Sequence, residues 1–196
     1  MNKKVYFFFD SVNVMVSFLV CRFVFMHYLY YYYYATIVTF SVPERDLLGP
    51  LSVILIMTYS VVVLLSFFYR KHVDRKMILV LYAIYFACLA FLLVFKSMGI
   101  RGLVLNPMET LQDMQSGNVF VPLMNLVMFI PLGTLITRKK QILVAVFGVI
   151  GVEIVQYFFS FGICDTGDII LNILGIFTGI AIRQIGLLKF FLEKIG

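Results

Sequence analysis

The sequence predicts an all-α protein, a polytopic transmembrane helix bundle of about six spans with both termini cytoplasmic. Three observations lead there. Of 196 residues, 62% are hydrophobic and 13% charged, with a mean hydropathy of +1.01, whereas a soluble domain is about half apolar and a quarter charged. The apolar residues gather into six stretches near the length of about 20 residues that a bilayer core demands. Basic residues collect in alternate connections, as cytoplasmic loops do. The net charge of +6 does not indicate nucleic acid, because Lys and Arg sit in short clusters between apolar runs with no aromatic-interleaved basic face. Cys21, Cys88 and Cys164 have no C-x-x-C spacing and read as small apolar fillers. His27 and His72 stand in no motif, which argues against zinc or Ser-His chemistry. The opening MNKKVYFFFD lacks a small-residue cleavage site, so a retained first helix is expected.

The stretches are 12–40, 48–69, 77–95, 118–137, 141–161 and 168–187. The first contains Arg22, His27 and a tyrosine-rich run from Tyr28 to Tyr34, which reads as an aromatic belt at a membrane interface. With the N-terminus inside, twelve Lys and Arg residues face the cytoplasm, from Lys3 through the Arg70–Lys76 and Arg138–Lys140 loops to Lys194. Only Arg45, Lys96 and Arg101 lie outside, which agrees with the positive-inside rule. The longest connection, 96–117, is then external. Within it Asn106-Pro107-Met108-Glu109 reads as a helix start, and Met108, Leu111 and Met114 follow at helical spacing. Two readings fit: an amphipathic helix lying on or dipping into the outer leaflet, or an ordinary loop helix.

Polar residues remain inside the last three spans. Asn125 lies in the fourth, ahead of Pro131 and Gly133. Glu153 and Gln156, three residues apart, share a face of the fifth. The sixth opens with CDTGDIILNILG, in which Asp165, Asp168 and Asn172 share a face that Gly175 and Gly179 continue as a G-x-x-x-G pair. These six polar residues fall in the outer third of the membrane or at its edge. Asp168 has a bland explanation as a helix cap, and Asn125 and Asn172 have one as interhelical hydrogen-bond glue. Glu153 resists such an account, being roughly 12 Å from the outer boundary at Phe161, at about 1.5 Å per residue. A carboxylate there has to be protonated, paired or hydrated. The cluster suits acid–base work, a hard cation, or hydrogen bonding to a sugar or amide on an envelope lipid.

The segments NLVMFIPLG (Asn125 to Gly133), EIVQ (Glu153 to Gln156) and DTGDIILNILGIFTG (Asp165 to Gly179) resemble the VanZ-like family of small bacterial membrane proteins. The family pattern N-x-x-x-F-x-P-x-G, E-x-x-Q and D-x-x-D-x-x-x-N-x-x-G-x-x-x-G is matched throughout, and Asn106-Pro107-Met108 partly matches an upstream N-x-x-P-F segment. Many members carry Arg six residues after the Gln, where this chain has Gly162. The resemblance covers residues 101–187, leaving 1–100 as three helices without a counterpart and 188–196 as a cytoplasmic tail. It implies a multi-pass protein of the bacterial plasma membrane, linked through the founding type to resistance to the lipoglycopeptide teicoplanin.

The leading expectation is a non-enzymatic membrane protein with an outward-facing polar pocket. Asn125, Glu153, Gln156, Asp165, Asp168 and Asn172 would bind an envelope lipid or lipid-like molecule, with the loop around Asn106 as a lid. Expected partners are membrane lipids, and a lipid-linked cell-wall precursor or a lipoglycopeptide. No cofactor, metal or nucleic acid is expected. The alternatives are a membrane-embedded hydrolase or transferase using Glu153 and Asp168 as an acid–base pair, and a lipid transporter or flippase hinged at Pro131 and Gly133.

Overall fold

The computed structural model describes residues 3–37, 47–95, 100–186 and 188–195. Arg45, Lys96, and the ends of the first and sixth predicted spans lie outside them. The chain is mainly helical: α1 (Lys3–Val24), α2 (Tyr30–Ile37), α3 (Leu48–Tyr69), α4 (Arg75–Phe95), α5 (Met108–Gln115), α6 (Phe120–Leu135), α7 (Lys139–Phe159), α8 (Thr166–Gln184) and α9 (Lys189–Leu192). Among the described residues two short strands interrupt it, β1 (Ile100–Val104) and β2 (Phe161–Asp165). Among the described residues five helices are long and apolar enough to cross a membrane, or six if α5 and α6, bent by 117°, make one span. The sixteen residues of α6 reach only about 24 Å at 1.5 Å per residue, short of the roughly 30 Å hydrocarbon core.

The chain divides into two compact units, residues 1–88 with 190–196, and residues 89–189. In the first, α1 begins at Lys3, nine residues before the predicted start, and reaches α2 through a π-helical turn at Phe25–Leu29. Asp10 does not end the helix, because the structure neutralises it. Arg70 pairs with its Oδ2 at 2.5 Å, and the Tyr69 hydroxyl donates to Oδ1 at 2.7 Å. Asn13 Nδ2 donates to the Tyr69 hydroxyl and to the Val62 carbonyl, and Ser17 Oγ donates to Asn13 Oδ1. Asp10, Asn13 and Ser17 recur at spacings of three and four, so one polar stripe of α1 is satisfied against α3. Val63, Phe67 and Val73 form the core of this unit, packed by Phe191 and Ile195. The backbone N–H of Val73 donates to the carbonyl of Lys194 at 2.7 Å, so the C-terminal segment, expected to be a tail, is fastened to the turn between α3 and α4.

The second unit is arranged as lipid solvent requires. The residues α7 buries are Val149, Glu153 and Gln156, while Leu143, Val144, Phe147, Ile154, Val155 and Phe158 are exposed, Phe147 to 69%. On α8, Asp168, Asn172 and three glycines are buried, while Ile170, Leu174 and Phe177 are exposed. Apolar outside and polar inside would be unstable in water and is favourable in a bilayer, where burial is no longer needed to hide apolar side chains.

Candidate functional site

Helices α6 and α8 form the frame of the second unit. Their backbones touch: a Cβ on Gly175 would overlap the carbonyl oxygen of Leu126, and one on Gly179 that of Ile130. A Cβ on Gly133 would overlap the Ile176 carbonyl oxygen. Small residues on both helices allow this approach. Asn172 lies one turn before Gly175 and Asn125 one residue before Leu126, so both are drawn into the same interface, at 2% and 3% exposure.

α7 ends at Ser160, whose left-handed conformation (φ 56°) turns the chain into β2. β2 pairs in parallel with β1, Ile100 opposite Phe161 through Val104 opposite Asp165. Two connections that would otherwise carry unpaired backbone groups near lipid satisfy each other this way. The pairing brings the start of α5 against the start of α8, so closely that a Cβ on Gly167 would overlap Thr110 Oγ1. Asp165 caps α8, its Oδ1 accepting from Gly167 N at 2.7 Å. Asp165 is thus the N-cap, with Asp168 in the first turn that follows.

Between these elements lies a cavity of about 250 Å³ lined by Glu109, Thr110 and Asp113 of α5, Asn118, Pro122 of α6, Gln156 of α7, Gly162 of β2, and Asp165 and Asp168 at the start of α8, with Val104, Val121 and Ile163. The amide Nε2 of buried Gln156 donates to the carbonyl of Leu93. Cys164, in β2 and outside the spanning helices, has its thiol pKa raised, first by burial and then by the charges of Glu153 and Asp165. Among the described residues no three His, Cys, Asp or Glu side chains are grouped so as to hold a metal ion.

The predicted residues therefore fall into three groups. Gln156, Asp165 and Asp168 line the cavity. Asn125, Glu153 and Asn172 are buried in the helix packing and are absent from its lining. Asn106 is exposed, its Oδ1 accepting from Met108 N at 3.1 Å to start α5. The polar lining residues that were missed are Glu109, Thr110, Asp113 and Asn118. The available signal was the polar side of α5, where Glu109 and Asp113 stand four apart and so on one face.

The family model described as VanZ/LLP1 matches residues 77–188, more than half of the chain. The chain belongs to the VanZ-like family. The match begins within α4, upstream of the motifs that carry the resemblance, and takes in every element of the cavity. No curated protein and no solved structure matches the chain. The family position at which many members carry Arg is occupied by Gly162, on the cavity wall. In this VanZ-like protein no Lys, Arg or His lines the cavity among the described residues, and Arg101, paired in register with Gly162, places its guanidinium 4.3 Å from the centroid of the Tyr157 ring.

Proposed function

We propose that this VanZ-like protein is a binding protein of the bacterial plasma membrane whose cavity opens to the extracytoplasmic side and engages the polar part of an envelope lipid or lipid-like molecule. The observation that carries this reading is a polar cavity within a unit whose outer faces are apolar. Exposed Leu103 of β1, Met108 and Leu111 of α5, and Leu105 in the connection between them offer acyl chains an apolar surface beside a polar seat. Size also favours a headgroup: about 250 Å³ is below the roughly 300–1,000 Å³ of pockets that enclose whole drug-sized ligands. A lipoglycopeptide such as teicoplanin would be engaged by one substituent, and the family membership makes reduced teicoplanin sensitivity the expected phenotype. The distribution of Lys and Arg supports the outward orientation. The position of Glu153 in the helix packing, away from the cavity lining, favours binding over acid–base catalysis with Asp168.

Expression of the full chain in a teicoplanin-susceptible bacterium should lower sensitivity. A photoactivatable phospholipid should crosslink to α5 or α8. Asp168→Asn should lose both effects at unchanged membrane levels. Retention of both in that variant would refute the cavity as the site of action.

A further inference from the structure

At the end of α6 and α8 remote from the cavity, positive charge gathers with no acidic group of the same unit beside it. The two helices run parallel, Gly175 against Leu126 and Gly179 against Ile130, so their last turns meet. There Arg183 Nη1 donates to the carbonyl of Thr134 at 2.9 Å. Arg138, four residues on, is the N-cap of α7, and Lys139 and Lys140 open its first turn. Gly186, left-handed at φ 80°, turns the chain after α8 and brings Lys189 back: a Cβ on Gly186 would lie 3.3 Å from Lys189 Cε. All five cations are exposed. Residues 114–152 and 169–192 contain no Asp or Glu. Glu153 is fourteen residues along α7 from Lys139, roughly 21 Å at 1.5 Å per residue. Asp168 is fifteen along α8 from Arg183, roughly 22 Å. Ion pairs form within about 4 Å, so neither carboxylate neutralises this end.

A second observation concerns the face beside these charges. Lys140, Leu143, Val144 and Phe147 recur at spacings of three and four and share one side of α7. The three apolar residues are 60%, 73% and 69% exposed. That side of the helix has the polarity order of a phospholipid, a charged group at the end and an apolar ridge beyond it. Arg183 adds a planar fork of five donors, of which Thr134 engages one, and such a fork matches phosphate oxygens.

We infer that this end of the unit binds an anionic phospholipid. Its phosphate is held by Arg183 together with Arg138, Lys139 and Lys140, and an acyl chain lies along Leu143, Val144 and Phe147. This surface is separate from the cavity and independent of the function proposed for it. A basic residue close to an anionic membrane surface contributes about fivefold in affinity (~1 kcal/mol), so several acting on one headgroup select it strongly over a zwitterionic lipid.

The test uses the full chain in nanodiscs of equal phosphatidylglycerol and phosphatidylcholine, with the lipids it retains on release read by native mass spectrometry. Retained phosphatidylglycerol should exceed phosphatidylcholine at least about tenfold. Lys139→Gln with Lys140→Gln alters only exposed side chains and should lower that excess at least about fivefold. Arg183→Gln should lower it about fivefold, and Arg183→Lys, which keeps the charge and loses the fork, should lower it less. Lys71→Gln with Lys76→Gln removes the same charge from exposed positions around the turn between α3 and α4 and should leave the excess within about twofold. Equal retention of the two lipids overturns the inference. An equal loss from the Lys71 and Lys76 variant overturns it in favour of diffuse attraction by net charge. Displacement of phosphatidylglycerol by soluble sn-glycerol 3-phosphate overturns the lipid in favour of a site for free phosphate esters.

Discussion

Asp165 combines two roles that substitution can separate. Its carboxylate caps α8 through Gly167 N and lines the cavity. Asp165→Ala should cost about 1 kcal/mol of stability, the usual value of an N-cap. Asp165→Asn, an equally good cap, should stay within a few tenths while removing the charge. Denaturant unfolding of the purified protein in mixed micelles checks both, and equal losses would contradict the capping role. Its neighbour Cys164 reports on the same charges. Burial and the nearby carboxylates of Glu153 and Asp165 raise its pKa, so at pH 8 less of it is thiolate than in an ordinary cysteine, and the thiolate is the reactive form. With Cys21 and Cys88 replaced by Ser, alkylation by iodoacetamide should be slower than that of a free thiol at pH 8. It should quicken as pH rises through and beyond the usual thiol range, and Asp165→Asn should accelerate it. A rate at pH 8 equal to that of a simple thiol would exclude the raised pKa. At this scale the sequence is informative about which polar residues are buried, because a 3.6-residue period assigns them to faces. It is silent on whether a buried residue meets a cavity or another helix, since both environments leave the same spacing.

Secondary elements differ in how openly they announce themselves. Long apolar helices do so through composition, and α3, α4, α7 and α8 lie close to where the sequence places them. The pair β1–β2 does not, because each strand is five residues long and carries a glycine, and its partner is some sixty residues distant. Helix α5 was legible as amphipathic from Met108, Leu111 and Met114, yet its polar side acquires meaning only once Thr110 meets Gly167. The crossing of α6 and α8 yields a sharp comparison. Gly175→Ala and Gly179→Ala each drive a Cβ into a facing carbonyl oxygen and should cost at least about 1–3 kcal/mol, as overpacking does. Gly148→Ala and Gly151→Ala on α7 meet nothing within 4 Å and should be neutral or stabilising by roughly 0.5–1 kcal/mol through helix propensity. The same mixed-micelle unfolding measures all four, and comparable effects in the two pairs would contradict the close crossing.

For the whole molecule the prediction concerns sidedness. Single cysteines introduced in a cysteine-free background, as Asn106→Cys, Asn118→Cys and Arg138→Cys, should be labelled by a membrane-impermeant maleimide on intact cells at the first two positions only. All three positions are exposed, so access to the reagent depends on the side of the membrane, and labelling at 138 would reverse the orientation inferred from the loop charges. Composition and periodicity already required a membrane-embedded helical protein, because these properties are sums over many residues and survive any error at one of them. The motifs from Asn125 to Gly179 likewise marked the family, since their spacing is local to single helices. The cavity is different in kind. It exists because a parallel pairing of distant strands carries α5 onto α8. The early start of α1 depends in the same way on a remote partner within its own unit, Arg70 beside Asp10. Contacts between remote segments leave no periodic trace in a chain, and so the wall formed by Glu109, Thr110 and Asp113 emerged only when the segments were brought together.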